Sequence, residues 1–148
     1  MKKYSILVFL FVITFVMSCK KDDPTPTPTK TKTEIISAHS WQIKTALAFG
    51  VSVYEKGGTG NQRDFSKVVL NFKSDGTITG TDTDGISFNS AKWVFTSGET
   101  KITLSSLPIS ILNNVTFDIT QLVEGNFDLS GTITYNGTAI PGVVKLIP

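Results

Sequence analysis

Cys19 is the only cysteine and His39 the only histidine in a chain of 148 residues. These two counts restrict the chemistry on offer. One imidazole without a partner thiol or second imidazole does not complete a typical zinc site. A nucleophile–base–orienter triad would have to use His39, and no Gly-x-Ser-x-Gly elbow accompanies it. Asp82-Thr83-Asp84-Gly85 looks like the start of a calcium loop, but the distal bidentate glutamate is missing from its place, so the segment reads as a turn. Gly57-Gly58-Thr59-Gly60-Asn61 is rich in glycine, yet no Lys-Ser/Thr follows, as a phosphate loop requires. It reads as a mobile hairpin tip. No catalytic residue, metal site or cofactor is expected, and the chain reads as a non-enzyme.

Cys19 has a different context. Lys2 and Lys3 precede an apolar run from Ser5 to Val16, and small Ser18 stands just before the cysteine. This is the three-part layout of a secretory signal over residues 1–18. The run is well short of the roughly 20 residues that a bilayer-crossing helix needs. Val16-Met17-Ser18-Cys19 resembles the lipobox of bacterial lipoproteins, with Val in place of the commoner Leu and Met where a small residue is usual. The resemblance implies that the Cys19 thiol takes a diacylglyceryl group, that the signal is cut before it, and that the new amine is acylated. Two or more acyl chains make a stable anchor where one is marginal. Lys21-Asp22-Asp23 resembles the export signal of Bacteroidota lipoproteins, a lysine and two acidic residues beside the acylated cysteine. That implies the outer membrane, with the domain facing the cell exterior.

Pro24, Pro26 and Pro28 alternate with threonine through a stretch without apolar side chains. Fixed φ angles make it extended, so residues 19–33 read as lipidated cysteine and tether. The chain carries 14 basic and 12 acidic residues, and losing Lys2 and Lys3 with the signal leaves a formally neutral protein. Neutrality gives no electrostatic footprint for nucleic acid.

Residues 34–148 are long enough for one core. Their period is two. Val68, Leu70 and Phe72 alternate with polar or surface positions, as do Ile102 and Leu104, then Val115, Phe117 and Ile119, then Phe127, Leu129, Gly131, Ile133 and Tyr135. Trp41, Ile43, Thr45, Leu47 and Phe49 predict the same inward phase for the first strand, and Trp93 and Phe95 share an inward phase further on. Ser74-Asp75-Gly76, Asp84-Gly85, Ser97-Gly98, Glu124-Gly125-Asn126 and Asn136-Gly137 punctuate the strands with turn chemistry. Helix is confined to a turn over 33–38, with Thr33 or Ser37 as cap. Half-buried strands joined by tight turns predict an all-β antiparallel meander, with a β-sandwich as the alternative.

The order of Ser40-Trp41-Gln42-Ile43, Leu70-Asn71-Phe72-Lys73-Ser74-Asp75-Gly76-Thr77, Lys92-Trp93-Val94-Phe95, Ile102-Thr103-Leu104 and the closing Phe117 and Phe127 strands resembles the lipocalin-like surface lipoproteins of Bacteroidota. The resemblance implies an up-and-down calycin barrel of about eight strands. Such a barrel holds one small ligand or is filled by side chains. The expected role is capture of a small apolar molecule or glycan by a monomer, with inward Trp41, Phe72, Trp93, Phe95 and Tyr135 as candidate ligand residues. The alternative is a structural or interaction lipoprotein with a filled barrel. The anchoring expectation is tested by Cys19→Ala: labelling with an alkyne fatty acid should be lost, and persistent label would refute the lipid anchor.

Overall fold

The computed structural model describes residues 29–109, 112–135 and 137–148. Cys19, Lys21, Asp22 and Asp23, which carry the anchoring and export readings, lie outside the described residues. Within them the order is α1 (Lys32–Ser37), β1 (Trp41–Ala48), β2 (Val51–Glu55), β3 (Val69–Phe72), β4 (Thr77–Thr81), β5 (Ser87–Thr96), β6 (Lys101–Ser105), β7 (Val115–Val123), β8 (Asn126–Tyr135) and β9 (Thr138–Ile147). Every strand pair is antiparallel. From β3 to β9 each strand bonds the next, and β1 joins β9 to β3, which closes an eight-stranded barrel with β2 as an extra strand on β1. The chain thus forms the expected lipocalin-like meander rather than a sandwich. No described helix is long and apolar enough to cross a membrane.

Turn chemistry set the strand breaks where it was read. Gly76 sits at φ 82°, which a side chain disfavours, and its N–H donates to Lys73 O to close the β3–β4 turn. Asp82 Oδ1 accepts from Asp84 N at 2.9 Å and Ile86 N at 2.8 Å, so the would-be calcium fragment is an Asx-type turn between β4 and β5.

The barrel has two unlike ends. At the closed end lie α1 and the β3–β4, β5–β6 and β7–β8 turns. Thr31 caps α1 in a reciprocal box with Glu34: Glu34 N donates to Thr31 Oγ1 at 3.2 Å, and Thr31 N donates to Glu34 Oε2 at 2.7 Å. The helix therefore starts one residue earlier than the 33–38 reading, and the cap is neither Thr33 nor Ser37. Ile36 is fully buried beneath the barrel. The Lys30 ammonium pairs with Glu124 in the β7–β8 turn, His39 Nε2 lies 2.9 Å from Glu124 Oε2, and Lys32 Nζ donates to Glu99 O in the β5–β6 turn. Hydrogen bonds from Lys30 and then His39 hold the Glu124 carboxyl below the usual carboxylate range. The chain thus enters the domain at its closed end.

The lower barrel is filled by rings. Trp41 meets Phe127 edge-on at 5.6 Å, Phe127 meets Phe72 at 5.8 Å, Phe72 meets Trp93 at 5.9 Å, and Trp93 meets Phe95 at 4.9 Å. These separations suit edge-to-face packing. Both buried indoles have their donor satisfied: Trp41 Nε1 bonds Ile36 O at 2.7 Å, and Trp93 Nε1 bonds Lys73 O at 2.9 Å.

The expected alternation holds in β3, β6 and the first half of β8, where Leu70, Phe72, Ile102, Leu104, Phe127 and Leu129 are buried. It fails in β1. The register of β1 against β9 shifts between Ile43 and Thr45, and against β2 between Ala46 and Leu47. These irregularities reset the phase. Trp41 and Ile43 face in, then Ala46 is buried where Thr45 and Leu47 were expected. Phe49, read as inward, lies in the β1–β2 turn at φ 52° with 63% of its surface exposed. These placements predict a contrast. Trp93→Ala should lower unfolding free energy by about 3 to 5 kcal/mol, and Phe49→Ala by less than about 0.5 kcal/mol, in chemical denaturation. Equal effects would refute the assignment of core and rim.

Candidate functional site

At the mouth, opposite α1, the barrel holds an apolar pocket of about 220 Å³. β1 lines it with Ala46, Leu47 and Ala48, and β2 with Val53. β8 adds Ile133, and β9 adds Ile140, Gly142 and Val144. Phe117 of β7 and Leu112 of the β6–β7 connection also line it. Phe65, Gln62 and Arg63 come from the β2–β3 connection.

The volume follows from side-chain size. Resetting the β1 phase buries Ala46 where the barrel widens and leaves Phe49, which strict alternation would have turned inward, in the exposed β1–β2 turn, while Leu47 lines the pocket beside Ala48. Gly142 adds no side chain on the opposing strand. Phe117 is buried and lies against Gly131: a Cβ built at Gly131 would come 2.8 Å from Phe117 Cδ1. Glycine at 131 therefore lets the ring settle onto β8 and leave the space above it open. Phe65 packs edge-on to Tyr54 at 5.5 Å, closing the wall between β2 and β3.

The polar residues of the lining, Gln62 and Arg63, sit on an exposed but well-bonded stretch. Asn61 carries the bonding. Its Oδ1 accepts from Glu55 N at 2.8 Å, and its Nδ2 donates to Glu55 O at 3.0 Å and Gly58 O at 3.2 Å. Gln62 N and Arg63 N both donate to Val53 O, at 3.0 and 3.2 Å. The glycine-rich segment is thus a loop stapled to the end of β2, not the mobile hairpin tip its composition suggested. Next to it, Asp64 accepts from Ser66 N at 2.9 Å, and hydrogen bonding from Ser66 holds its carboxyl below the usual range.

Four of the five nominated ligand residues lie elsewhere. Trp41, Phe72, Trp93 and Phe95 form the ring stack of the lower barrel, and none lines the pocket. Tyr135 ends β8, and its side chain lies outside the described residues. His39 is at the closed end, paired with Glu124 and edge-on to Trp41, away from the pocket. Among the described residues no group of three or more His, Cys, Asp or Glu is placed to hold a metal ion. A second, more open groove of about 340 Å³ runs over the outer wall along β7, β8 and β9, but its one carboxylate, Asp118, is already paired with Lys101 at 2.5 Å.

Sequence reasoning missed the pocket because most of its residues are small or aliphatic and none belongs to a motif. The one local signal was the pair of alanines at 46 and 48 beside an aromatic-rich strand start. No protein-family model matches the chain, and no curated protein matches it. The staple makes a prediction. Asn61→Ala should leave the global melt nearly unchanged but speed amide exchange at Glu55, whose N–H loses its acceptor, and at Gln62 and Arg63. Unaltered exchange at these amides would show that Asn61 does not hold the loop.

Proposed function

We propose that the chain is a non-enzymatic lipoprotein of Bacteroidota type, held to the outer membrane through acyl chains on Cys19 and facing the cell exterior, whose barrel takes up a small apolar molecule. The apolar pocket at the mouth carries this reading. Eleven of its thirteen lining residues are apolar, which suits a hydrocarbon surface and offers little to the many hydroxyls of a glycan. A cavity of about 150 Å³ holds benzene, so one of 220 Å³ suits an apolar group of about nine carbons.

The direction of chain entry supports the same reading. Residues 29–31 lead into α1 at the closed end, so an anchor on Cys19 would sit beneath the barrel with the pocket turned away from the bilayer. The ten residues from Cys19 to Thr29 reach at most about 35 Å, enough to lift the domain clear of the headgroups.

The alternative, an interaction lipoprotein with a filled barrel, draws on the ring-filled lower half and on exposed Phe49, Val51 and Ile86 around the mouth. Titration separates the two. Octan-1-ol is added to the full-length protein in lipid nanodiscs, with empty nanodiscs as blank, and isoleucine methyl NMR signals are followed. The Ile133 and Ile140 methyls should shift and saturate while those of buried Ile78 and Ile102 stay still. Ala48→Leu, which narrows the pocket, should abolish the shift. Signals that do not move, or that move equally in Ala48→Leu, would leave the interaction reading in its place.

A further inference from the structure

Resting on the anchor proposed at Cys19, the apolar residues of the rim point to a further contact: we infer that the barrel's mouth docks on the bilayer that holds the anchor, with Phe49, Val51 and Ile86 as the inserting side chains. Five large apolar side chains are exposed among the described residues. Val94 lies on the outer wall along β5, and Val123 stands beside Glu124 at the closed end. The other three, Phe49, Val51 and Ile86, each keep 60% or more of their surface exposed. They stand on the β1–β2 and β4–β5 turns, at the end where the apolar pocket opens.

Phe49 occupies a position that disfavours it. Ala48 pairs with Val51, so Phe49 and Gly50 form a two-residue hairpin loop, and both have positive φ, 52° and 77°. Such a loop prefers Asn-Gly, because asparagine tolerates the left-handed region and a bulky side chain does not. The other described non-glycine residues at positive φ, Ser97, Glu99, Ser106 and Asn114, are all polar. The turn is tied down without the ring, since Phe49 N donates to Pro141 O at 2.9 Å. An aromatic held at a conformational cost, yet left in water, offers its surface to something outside the domain. Ile86 is presented as firmly: its N donates to Asp82 Oδ1 at 2.8 Å, and its O accepts from Asp82 N at 3.0 Å.

The tether's length identifies the occupant. The ten residues of β9 span about 34 Å, and a strand tilt near 40° makes the barrel about 25 Å tall. Lys30 pairs with Glu124 in the β7–β8 turn, so the chain leaves the closed end at its perimeter. The reach of about 35 Å from Thr29 to Cys19 exceeds that height, and the anchor can lie level with the mouth as well as beneath the closed end. The two ends differ in what they offer a bilayer. The closed end presents Lys30, Lys32, Glu99 and Glu124, whereas the mouth presents apolar tips that a fluid acyl layer receives singly, with no matching surface required. Near Ile86, Asp82 accepts from backbone N–H groups and Lys67 Nζ lies against Asp84 O, so no bare run of one charge opposes the contact. Docked this way, the pocket opens onto the acyl layer, where small apolar molecules concentrate.

Methyl relaxation in lipid tests the contact. Full-length acylated protein is placed in zwitterionic nanodiscs in which some lipids carry a gadolinium chelate on the head group, and discs holding one copy and two copies are compared. Ile86 reports the mouth, and Ile36 the closed end. In one-copy discs Ile86 should relax at least as fast as Ile36. Phe49→Asn suits the turn and removes the ring. It should slow the Ile86 relaxation about five- to tenfold, as expected for one aromatic withdrawn from the interface, while raising the melting midpoint. Relaxation at Ile36 with none at Ile86, or an Ile86 rate unchanged in Phe49→Asn, would overturn the docking and leave the anchor in place. A lower melting midpoint in Phe49→Asn would assign the ring to packing instead. Ile86 signals that change only in two-copy discs would assign the rim to a second copy of the chain. A chain that does not incorporate into lipid would remove the anchor, and the docking with it.

Discussion

The architecture depends on how β1 divides its hydrogen bonds. One edge carries β9 from Gln42 to Ala48, which closes the barrel. The other edge must serve two strands. β2 takes it from Thr45 to Ala48, so β3 keeps the two positions Trp41 and Gln42. A strand edge offers each backbone group once, and what β2 occupies is lost to β3. The barrel wall is therefore incomplete between β2 and β3 above mid-height. The connection from 56 to 68 fills the breach, inserting Phe65 and Val68 into the core and presenting Gln62 and Arg63 at the rim. The polar edge of the pocket is a direct consequence of that sharing.

The filled lower half and the open upper half answer different demands. A domain of this size needs a dense interior for its net stability of about 5 to 15 kcal/mol. The linked rings from Trp41 to Phe95 supply it, and their two indole N–H groups bind carbonyls of the segments that close the barrel's end, Ile36 on α1 and Lys73 in the β3–β4 turn. Helix, turn and ring stack thus hold one another, and the mouth is relieved of that duty. There the inward positions pass to Ala46, Ala48, Gly142 and branched aliphatics, and space remains. An aromatic at 46 in place of alanine would close it.

The same division argues against reading chemistry into the polar side chains. His39 serves the closed end, where it and Lys30 share Glu124 and tie the entering chain to the β7–β8 turn. Asp82 organises a turn through its own neighbours' N–H groups. Asp118 and Lys101 pair across β6 and β7 on the outer wall. Each of these residues is engaged in holding the barrel's shape, and the described groups that face the pocket offer mainly shape and apolar surface.

Much of this was legible along the chain because it is local. Period-two alternation reports which face of a strand meets the core, and Asp-Gly or Ser-Gly pairs report where the backbone can reverse. Hence β3, β6 and β8 lie close to where the sequence places them, as does the all-β barrel itself. The Thr31-Lys32-Thr33-Glu34 box was also there to be read, and signals its cap by the same local logic. The residues around Cys19 from which the anchor is proposed are likewise read from sequence alone. The pocket is not. Strict alternation turns Thr45 and Phe49 inward and Ala46 outward, and the register shifts that change this arise because β1 must match β9 on one edge and β2 on the other while the sheet coils into a ring. No window of β1 contains that requirement. Likewise, Trp41, Phe72, Trp93 and Phe95, singled out by type, became the filled core, whereas the pocket was assembled mostly from alanines, a glycine and aliphatics drawn from segments nearly 100 residues apart, from Ala46 to Val144. Local pattern determines that a side chain faces in; only closure of the barrel decides whether it meets another side chain there or an open space.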